Sequence, residues 1–331
     1  MTGSALDRLR LHLHPVDRTI GALLVVSILV GLATSRAGTP EIATLTQLHL
    51  ALLAALALFA VAAKRWAAAP WVVFGRPLLA IFIVYTLYTS LGRLGMAAMP
   101  FRADALLARM DTLLFGGRDP SLLLEPWLTP ARVELCAFFY AFFIPYINLS
   151  LMLGALGRPP LERDQFLTGW ALIYAISYLG YVFVPAQGPA VLHASDYEVA
   201  LQGGYFLRTV LRAVEDTGGS MGAFPSLHVG ASVYLCVFDL RTHRLRGLTY
   251  APMVLVIYLA TVVLRFHYVI DLVMGTLLGL ACTRLGPWAF TRWARARQAH
   301  GLPALPGGEG DVLPDLPEAG GRGAALVLPA Y

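Results

Sequence analysis

The chain has 331 residues, of which 57% are hydrophobic and 14% are charged, and its mean hydropathy is +0.65. A soluble domain carries about 25% charged residues, so this composition excludes a water-exposed globule, and it equally excludes a disordered chain. The formal net charge of +5 would suit a nucleic-acid partner, but basic residues placed between apolar spans set membrane orientation instead. We therefore expect a polytopic membrane protein that lies in a lipid bilayer and binds no nucleic acid.

Eight apolar segments have or approach the length of a bilayer-crossing helix, which needs about 20 residues. In chain order they are 19–35, 45–63, 77–95, 132–155, 166–185, 226–240, 247–265 and 267–285. The sixth is short, and the last two almost adjoin. The sequence thus predicts an all-α polytopic membrane helical bundle of about eight transmembrane helices. We expect the first segment to be a retained anchor rather than a signal peptide, because no A-x-A cleavage site follows it.

The basic residues predict the orientation of the bundle. Most of the 25 fall on one side when both termini are cytoplasmic, and the densest runs are 241–246 and 291–297. Cytoplasmic loops carry this excess, so both termini are predicted inside. Lys64 is the only lysine; we interpret this arginine bias as bacterial and expect a bacterial plasma membrane.

For several residues, the sequence predicts a role in packing. Cys136, Cys236 and Cys282 lie in apolar runs and form no CxxC pair, which favours buried, inert thiols over a metal site. His49 lies within a span and is expected to pack or hydrogen-bond inside the bundle. Gly275 and Gly279 are expected to allow close helix packing.

The two longest loops, near 93–131 and 186–225, are predicted to lie on the outer side. The apolar positions of 103–115 recur at helical spacing, which predicts a helix in the membrane interface. His193, in the second loop, is a weak candidate for a substrate contact.

Two polar clusters enter apolar spans, where ionisable groups are costly and therefore informative. One is Gly222-Ala-Phe-Pro-Ser-Leu-His-Val229, and the other is Arg265-Phe-His-Tyr-Val-Ile-Asp271. The predicted topology places both at the outer ends of their spans. His228 and His267 are therefore expected to meet at one membrane face.

The spacing within these clusters suits phosphoryl transfer without a metal or cofactor. Asp271 follows His267 by four residues and so shares its helix face, where a carboxylate fixes an imidazole tautomer. His228 opposite is a candidate proton donor. Pro225 and Ser226 predict a helix start, whose N–H groups and dipole favour an anion such as phosphate.

Other interpretations remain open at this point. A histidine at a span end is commonly an interfacial residue, and the chain could be a transporter or a non-catalytic lipid-binding protein. A transporter more often places ionisable groups near the membrane midplane. Their predicted gathering at one interface favours chemistry on lipid head groups.

At these residues the sequence resembles a known family. Phe224-Pro-Ser-Leu-His228 and His267-Tyr-Val-Ile-Asp271 are similar to the second and third signatures of the type 2 phosphatidic acid phosphatase superfamily, in the form of its inositol phosphorylceramide synthase-like (inositolphosphotransferase) branch. Three weaker segments also resemble that branch: 111–115, 140–146 and 185–189. Asp111 and Gln187 enter the predicted substrate-binding set through them, beside Ser226.

The resemblance implies a six-helix catalytic core at 77–285. It is preceded by a region, 1–76, with two additional spans, and followed by a basic and then disordered cytoplasmic tail, 286–331. It also implies that His267 attacks phosphorus to form a phosphohistidine, Asp271 orients it, and His228 protonates the leaving oxygen.

The implied activity is a membrane phosphotransferase that moves a phosphorylated head group, such as inositol phosphate, between lipids, as in sphingolipid metabolism. The implied substrates are a phospholipid or a lipid phosphate. A phosphatase acting on phosphatidate or a polyprenyl diphosphate is the alternative, and the oligomeric state is left open.

The sequence departs from the family in its expected phosphate-binding cations. The K-x6-R-P signature is absent, because Ala69 stands where lysine should precede Arg76-Pro77. The arginine expected six residues before the last histidine is Thr261. Arg265 is therefore the first predicted phosphate-binding cation, because it adjoins the nucleophile, and Arg93, Arg102 and Arg109 are weaker candidates.

Overall fold

The computed structural model describes residues 11–35, 40–67, 69–216 and 222–305. Within these ranges the chain forms helices and loops and no strand, apart from one isolated bridge between Ala186 and Gly222. The predicted disordered tail from 306 onward lies outside the described residues. The all-α class is confirmed.

The helices follow one another with short connections. In chain order they are α1 (Pro15–Ser35), α2 (Pro40–Arg65), α3 (Pro70–Ala98), α4 (Asp104–Leu114), α5 (Pro120–Leu123), a 3-10 turn (Glu125–Trp127), α6 (Pro130–Leu156), α7 (Pro160–Phe183), α8 (Pro189–Leu192), α9 (Tyr205–Asp216), α10 (Leu227–Thr242), α11 (Arg244–Val263) and α12 (Val269–Ala299).

In the described part of the chain, seven helices are long and apolar enough to cross a membrane: α1, α2, α3, α6, α7, α11 and α12. The remaining predicted span is α10, whose 16 residues extend about 24 Å, less than a hydrocarbon core of about 30 Å. Eleven of those residues are buried among neighbouring helices, so α10 has little contact with lipid.

Two helices extend furthest beyond their predicted spans. α3 begins at Pro70, so the predicted boundary between residues 76 and 77 falls inside it. α12 continues to Ala299, well past the predicted end at 285.

Two polar pairs show how some of the long helices are directed: α1 and α7 begin at the same end of the bundle, and α2 and α3 run in opposite directions. At one end of the bundle, His14 before α1 lies 3.6 Å from Asp164 in the first turns of α7. At the other end, Arg93 near the close of α3 pairs with Glu41 at the start of α2 at 3.1 Å. We call the end that holds the starts of α10 and α12 the site end, and the opposite one the far end.

The core of the bundle is built around α7. Phe166, Trp170 and Tyr178 of this helix are fully buried, because α7 packs against α1, α3, α10 and α12 at once. Aromatic side chains of this size supply much of the packing energy of a bundle.

The polar and sulfur-bearing groups inside the bundle behave as expected. His49 is fully buried and lies 2.8 Å from the hydroxyl of Ser90, which confirms its hydrogen bond within the bundle. The three cysteines are free and buried.

At the site end, α4 is the helix predicted for 103–115. Its inward positions, Leu107 and Ala108, are buried, while Leu106 and Leu113 on its outer face are 61% and 75% exposed. Such an apolar outer face suits a helix lying at a membrane interface.

Candidate active site

His228 lies in the first turn of α10, at the site end. Ser226 is the N-cap of this helix, and its hydroxyl accepts the N–H of Val229 at 3.5 Å. The His228 ring stacks on Tyr140 of α6, with 4.4 Å between ring centres, and it contacts Phe143 at the same separation. Two aromatic rings from one face of α6 therefore hold the imidazole in place.

His267 lies in the short loop between α11 and α12. Its Nδ1 is 2.9 Å from the carbonyl oxygen of Ala223 and 3.4 Å from Oδ2 of Asp271. Since a carbonyl oxygen only accepts hydrogen bonds, Nδ1 carries a proton, and in the neutral ring Nε2 then keeps its lone pair. The ring is thus oriented from one side and presents a nucleophilic nitrogen on the other.

The two histidines are brought together by direct contact between helix backbones. Their ring centres are 5.6 Å apart, and the N–H of Ser226 donates to the carbonyl oxygen of Asp271 at 3.1 Å. A Cβ on Gly275 would lie 2.3 Å from the carbonyl oxygen of Ser226. Glycine is therefore required there, which confirms the expected packing role of Gly275.

Arg265 stands beside this pair but is engaged by the outer loops. Its guanidinium donates to Glu125 at 3.0 Å and to the carbonyl oxygen of Val199 at 2.6 Å, and it lies 3.5 Å from the ring centre of Tyr197. Burial lowers the pKa of Arg265 and raises the pKa of Tyr197 to about 12. Its Nε is buried without a hydrogen-bond partner among the described residues. A phosphate contact of Arg265 stays a prediction.

Asp111 of α4 reaches the start of α12. Its two carboxylate oxygens accept the N–H groups of Val269 and Ile270 at 2.6 and 2.8 Å. Burial raises the pKa of this carboxyl group against the opposing effect of the two hydrogen bonds. Its predicted substrate contact stays a prediction.

Gln187 lies in the loop after α7 and reaches the site through its backbone. Its N–H donates to Asp104 of α4 at 2.9 Å, and the side chain is half-buried. A contact of that side chain with substrate likewise stays a prediction.

The weaker candidates from the sequence are spread over the site end. Arg93 pairs with Glu41, Arg102 donates to the neighbouring carbonyl of Phe101, and Arg109 is exposed. His193 lies between two outer-loop carboxylates, with Asp119 at 3.2 Å and Asp196 at 2.8 Å. We assign no site role to these residues.

Comparison with known proteins identifies the family. The family model described as PAP2 superfamily matches residues 106–285, more than half of the chain. The chain belongs to the PAP2 superfamily. No curated protein and no solved structure matches it.

Membership in the PAP2 superfamily makes the protein an enzyme of phosphatase or phosphotransferase type. Together with the seven apolar helices, it describes an integral membrane enzyme that acts on lipid substrates. The transporter and non-catalytic interpretations are therefore not favoured. Within the described residues, no group of three or more His, Cys, Asp or Glu side chains has the geometry of a metal site.

Sequence reasoning missed four groups around the histidines of this PAP2 protein: Tyr140, Phe143, Asp104 and the carbonyl of Ala223. A signal existed for Asp104, because it precedes Asp111 by two helical turns on the predicted helix and so shares its face. Tyr140 and Phe143 lie one turn apart within 140–146, a segment that resembles the inositolphosphotransferase branch, but aromatic rings in an apolar stretch gave no sign of a contact with His228.

Proposed function

We propose that this PAP2 enzyme transfers a phosphorylated head group between lipids through a phosphohistidine on His267. The observation that carries the proposal is the contact of His267 Nδ1 with Ala223 and Asp271. That contact leaves the lone pair of Nε2 for attack on phosphorus, as nucleophilic catalysis requires. Asp271 orients the ring and stabilises its positive form.

His228 is the proposed general acid and base. In the first step, Nε2 of His267 bonds to phosphorus, the bond from phosphorus to the leaving oxygen breaks, and His228 gives that oxygen a proton. In the second step, His228 takes the proton of the acceptor hydroxyl, whose oxygen replaces the histidine on phosphorus. The 5.6 Å between ring centres puts both imidazoles within reach of one phosphate group.

Negative charge on the phosphate needs nearby positive potential. The start of α10 at Ser226 supplies helix N–H groups and the positive end of a helix dipole. Arg265 is the proposed cation, because it is two residues from His267 and keeps a buried Nε without a partner in the described part of the chain.

Exclusion of water favours transfer to an alcohol over hydrolysis. His267 is 3% exposed and Asp271 is fully buried, with aromatic rings of α6 packed beside the histidine pair. A dry site protects a phosphoenzyme from hydrolysis. We propose inositol phosphate as the head group, from the resemblance to the inositolphosphotransferase branch.

A lipid phosphate phosphatase is the second candidate, because the PAP2 superfamily covers phosphatases as well. Both candidates share the phosphoenzyme and differ in the second acceptor, which is an alcohol or water.

The proposed orientation places the site end outside the cytoplasm and both termini inside, in a bacterial plasma membrane. The starts of α10 and α12 meet at the site end, while the basic runs 241–246 and 291–297 belong to the opposite ends of those helices. The excess of basic residues on cytoplasmic segments supports this direction.

The deciding experiment follows wild type and His267→Ala by phosphorus NMR, each supplied with phosphatidylinositol, a lipid alcohol and a lipid phosphate. His243→Ala is the matched control, because this histidine lies at the far end beside Glu162. A new phosphodiester formed by wild type and the control only would support the transferase. Release of inorganic phosphate in place of a phosphodiester would identify a phosphatase. Turnover retained in His267→Ala would refute the proposed mechanism.

A further inference from the structure

The inward face of α4 carries two buried carboxylates. Asp104 and Asp111 are 7% and 1% exposed, and their spacing of two helical turns puts them on one side of the helix. Buried carboxylates are costly unless they are hydrogen-bonded. Both are fully engaged, and all their partners belong to segments that flank His267.

Asp111 fixes the first turn of α12. It accepts the N–H groups of Val269 and Ile270, and Asp271 accepts the N–H of Tyr268 at 2.9 Å. Three successive backbone donors are therefore held by carboxylates. His267 comes immediately before this turn and Asp271 ends it, so the turn sets the separation of the two side chains.

Asp104 fixes the segments on the other side of His267. It accepts from the hydroxyl of Tyr268 at 3.0 Å and from the N–H groups of Gln187 and Gly188 at 2.9 and 2.8 Å. Gly188 lies against the backbone before His267, since a Cβ there would be 2.4 Å from the carbonyl oxygen of Phe266.

The apolar residues between the two carboxylates complete this contact. Leu107 and Ala108 form one buried cluster with Ala223, Tyr268 and Ile270. Ala223 provides the carbonyl that accepts from Nδ1 of His267. α4 thus packs against Ala223 and against the residues that immediately precede Asp271, and these two segments carry the groups that orient the imidazole.

We propose that α4 positions the nucleophile, with Asp111 and Asp104 as positioning residues that act through the α12 start and the Ala223 segment. The inference rests on the proposed nucleophilic role of His267. It assigns Asp111 a function in orientation in place of the substrate contact expected from the sequence.

The test compares wild type with Asp111→Asn in vesicles of phosphatidylcholine that contain phosphatidylinositol and a lipid alcohol, the donor and acceptor of the proposed transfer. An asparagine offers one acceptor oxygen, so one of the two N–H groups loses its partner. We expect kcat to fall by between about tenfold and a hundredfold, because a small misplacement of reacting groups slows a reaction by about this much. KM should stay within about twofold, and the 15N signal of His267 Nδ1 should shift.

Glu134→Gln is the matched control. Glu134 of α6 accepts the N–H groups of Gly204, Phe206 and Leu207 at the start of α9. Like Asp111, it is a carboxylate that caps the start of a helix, but this helix does not carry His267. We expect it to keep the wild-type kcat and the wild-type His267 signal. Tyr268→Phe removes the hydrogen bond that Tyr268 donates to Asp104. This variant keeps the proposal testable if Asp111→Asn does not fold, and we expect a smaller fall in kcat for it.

The outcomes separate this inference from the proposed function. If folded Asp111→Asn and Tyr268→Phe keep the wild-type kcat while His267→Ala is inactive, the positioning role is overturned and the proposed function stands. A rise in KM at unchanged kcat would overturn it too and would mark Asp111 as a substrate contact. Turnover in His267→Ala would instead refute the nucleophile on which the inference rests.

Discussion

The N–H of Ser226 donates to the carbonyl oxygen of Asp271 across the contact of α10 and α12. Residues from the two histidine motifs are thereby joined backbone to backbone, and the separation of His228 and His267 depends on how closely these helices approach. The glycines at the crossing set that distance, because side chains there would collide with the opposite backbone.

Gly275→Ala is therefore expected to lower both stability and activity. Its Cβ would lie 2.3 Å from the carbonyl oxygen of Ser226, and overpacking of this kind costs about 1–3 kcal/mol. Thermal unfolding in detergent and kcat would measure the two effects. Gly21→Ala is the control, since its Cβ meets only Leu56 at 3.7 Å, and it should be neutral or stabilising.

Asp271→Asn should lower kcat by about a hundredfold with little change in KM. Loss of the carboxylate in a catalytic triad costs about 10⁴-fold because the imidazole takes the wrong tautomer. Here the carbonyl oxygen of Ala223 still accepts from Nδ1, so the effect should be smaller. Steady-state kinetics decide this, and a kcat equal to that of wild type would contradict the orienting role.

Glu125→Gln should destabilise the outer loops by about 3 kcal/mol, because it leaves the buried charge of Arg265 without its partner. The two side chains are only 11% and 7% exposed. Glu41→Gln breaks the exposed pair with Arg93 and should cost about 0–1 kcal/mol. Thermal unfolding of the two variants compares the pairs directly, and equal losses would contradict the buried ion pair.

Arg265→Gln separates the two roles assigned to this arginine. If Arg265 also neutralises phosphate, its replacement raises KM in addition to lowering Tm, whereas Glu125→Gln lowers Tm alone. A KM that is unchanged in Arg265→Gln would leave the arginine with its loop contacts only.

The stability of the far end should fall as the pH drops below about 6.5. Burial, followed by the positive charge of Arg76, lowers the pKa of His14 in the folded protein, despite Asp164 and Asp17, which raise it. The unfolded chain then binds a proton at a pH where the folded chain does not, so acid favours unfolding.

His14→Asn tests this dependence, because the asparagine oxygen can replace Nδ1 as the acceptor for the N–H of Val16. Tm measured between pH 7.5 and 5.5 should fall less steeply in this variant than in wild type. His300→Asn, at an exposed residue of the far end, should keep the wild-type slope. Parallel slopes for wild type and His14→Asn would contradict the assignment.

The spans, the all-α class and the pairing of the two histidine motifs could be predicted from the sequence. Apolar length alone defines a crossing helix, and an odd or even number of crossings decides which polar residues share a membrane face. The FPSLH and HYVID segments were predictable for the same reason: polar groups in apolar spans are rare enough to be noticed.

The surroundings of those residues depended on tertiary structure. Asp104 and Asp111 reach the α12 start, Glu125 engages Arg265, and Tyr140 stacks on His228 through contacts between segments far apart in the chain. Such contacts depend on where helices cross, and no repeating pattern in the local sequence indicates the position of a crossing.

What the sequence determined by itself was the membrane class of the chain and the chemistry concentrated at one of its faces, because composition, apolar period and polar placement are local properties. What only the tertiary structure decided was which backbone and side-chain groups orient His267 and which groups hydrogen-bond to Arg265. Those partners are fixed by how closely α10, α12 and α4 approach, and a distance between helices cannot be read from the residues of either helix alone.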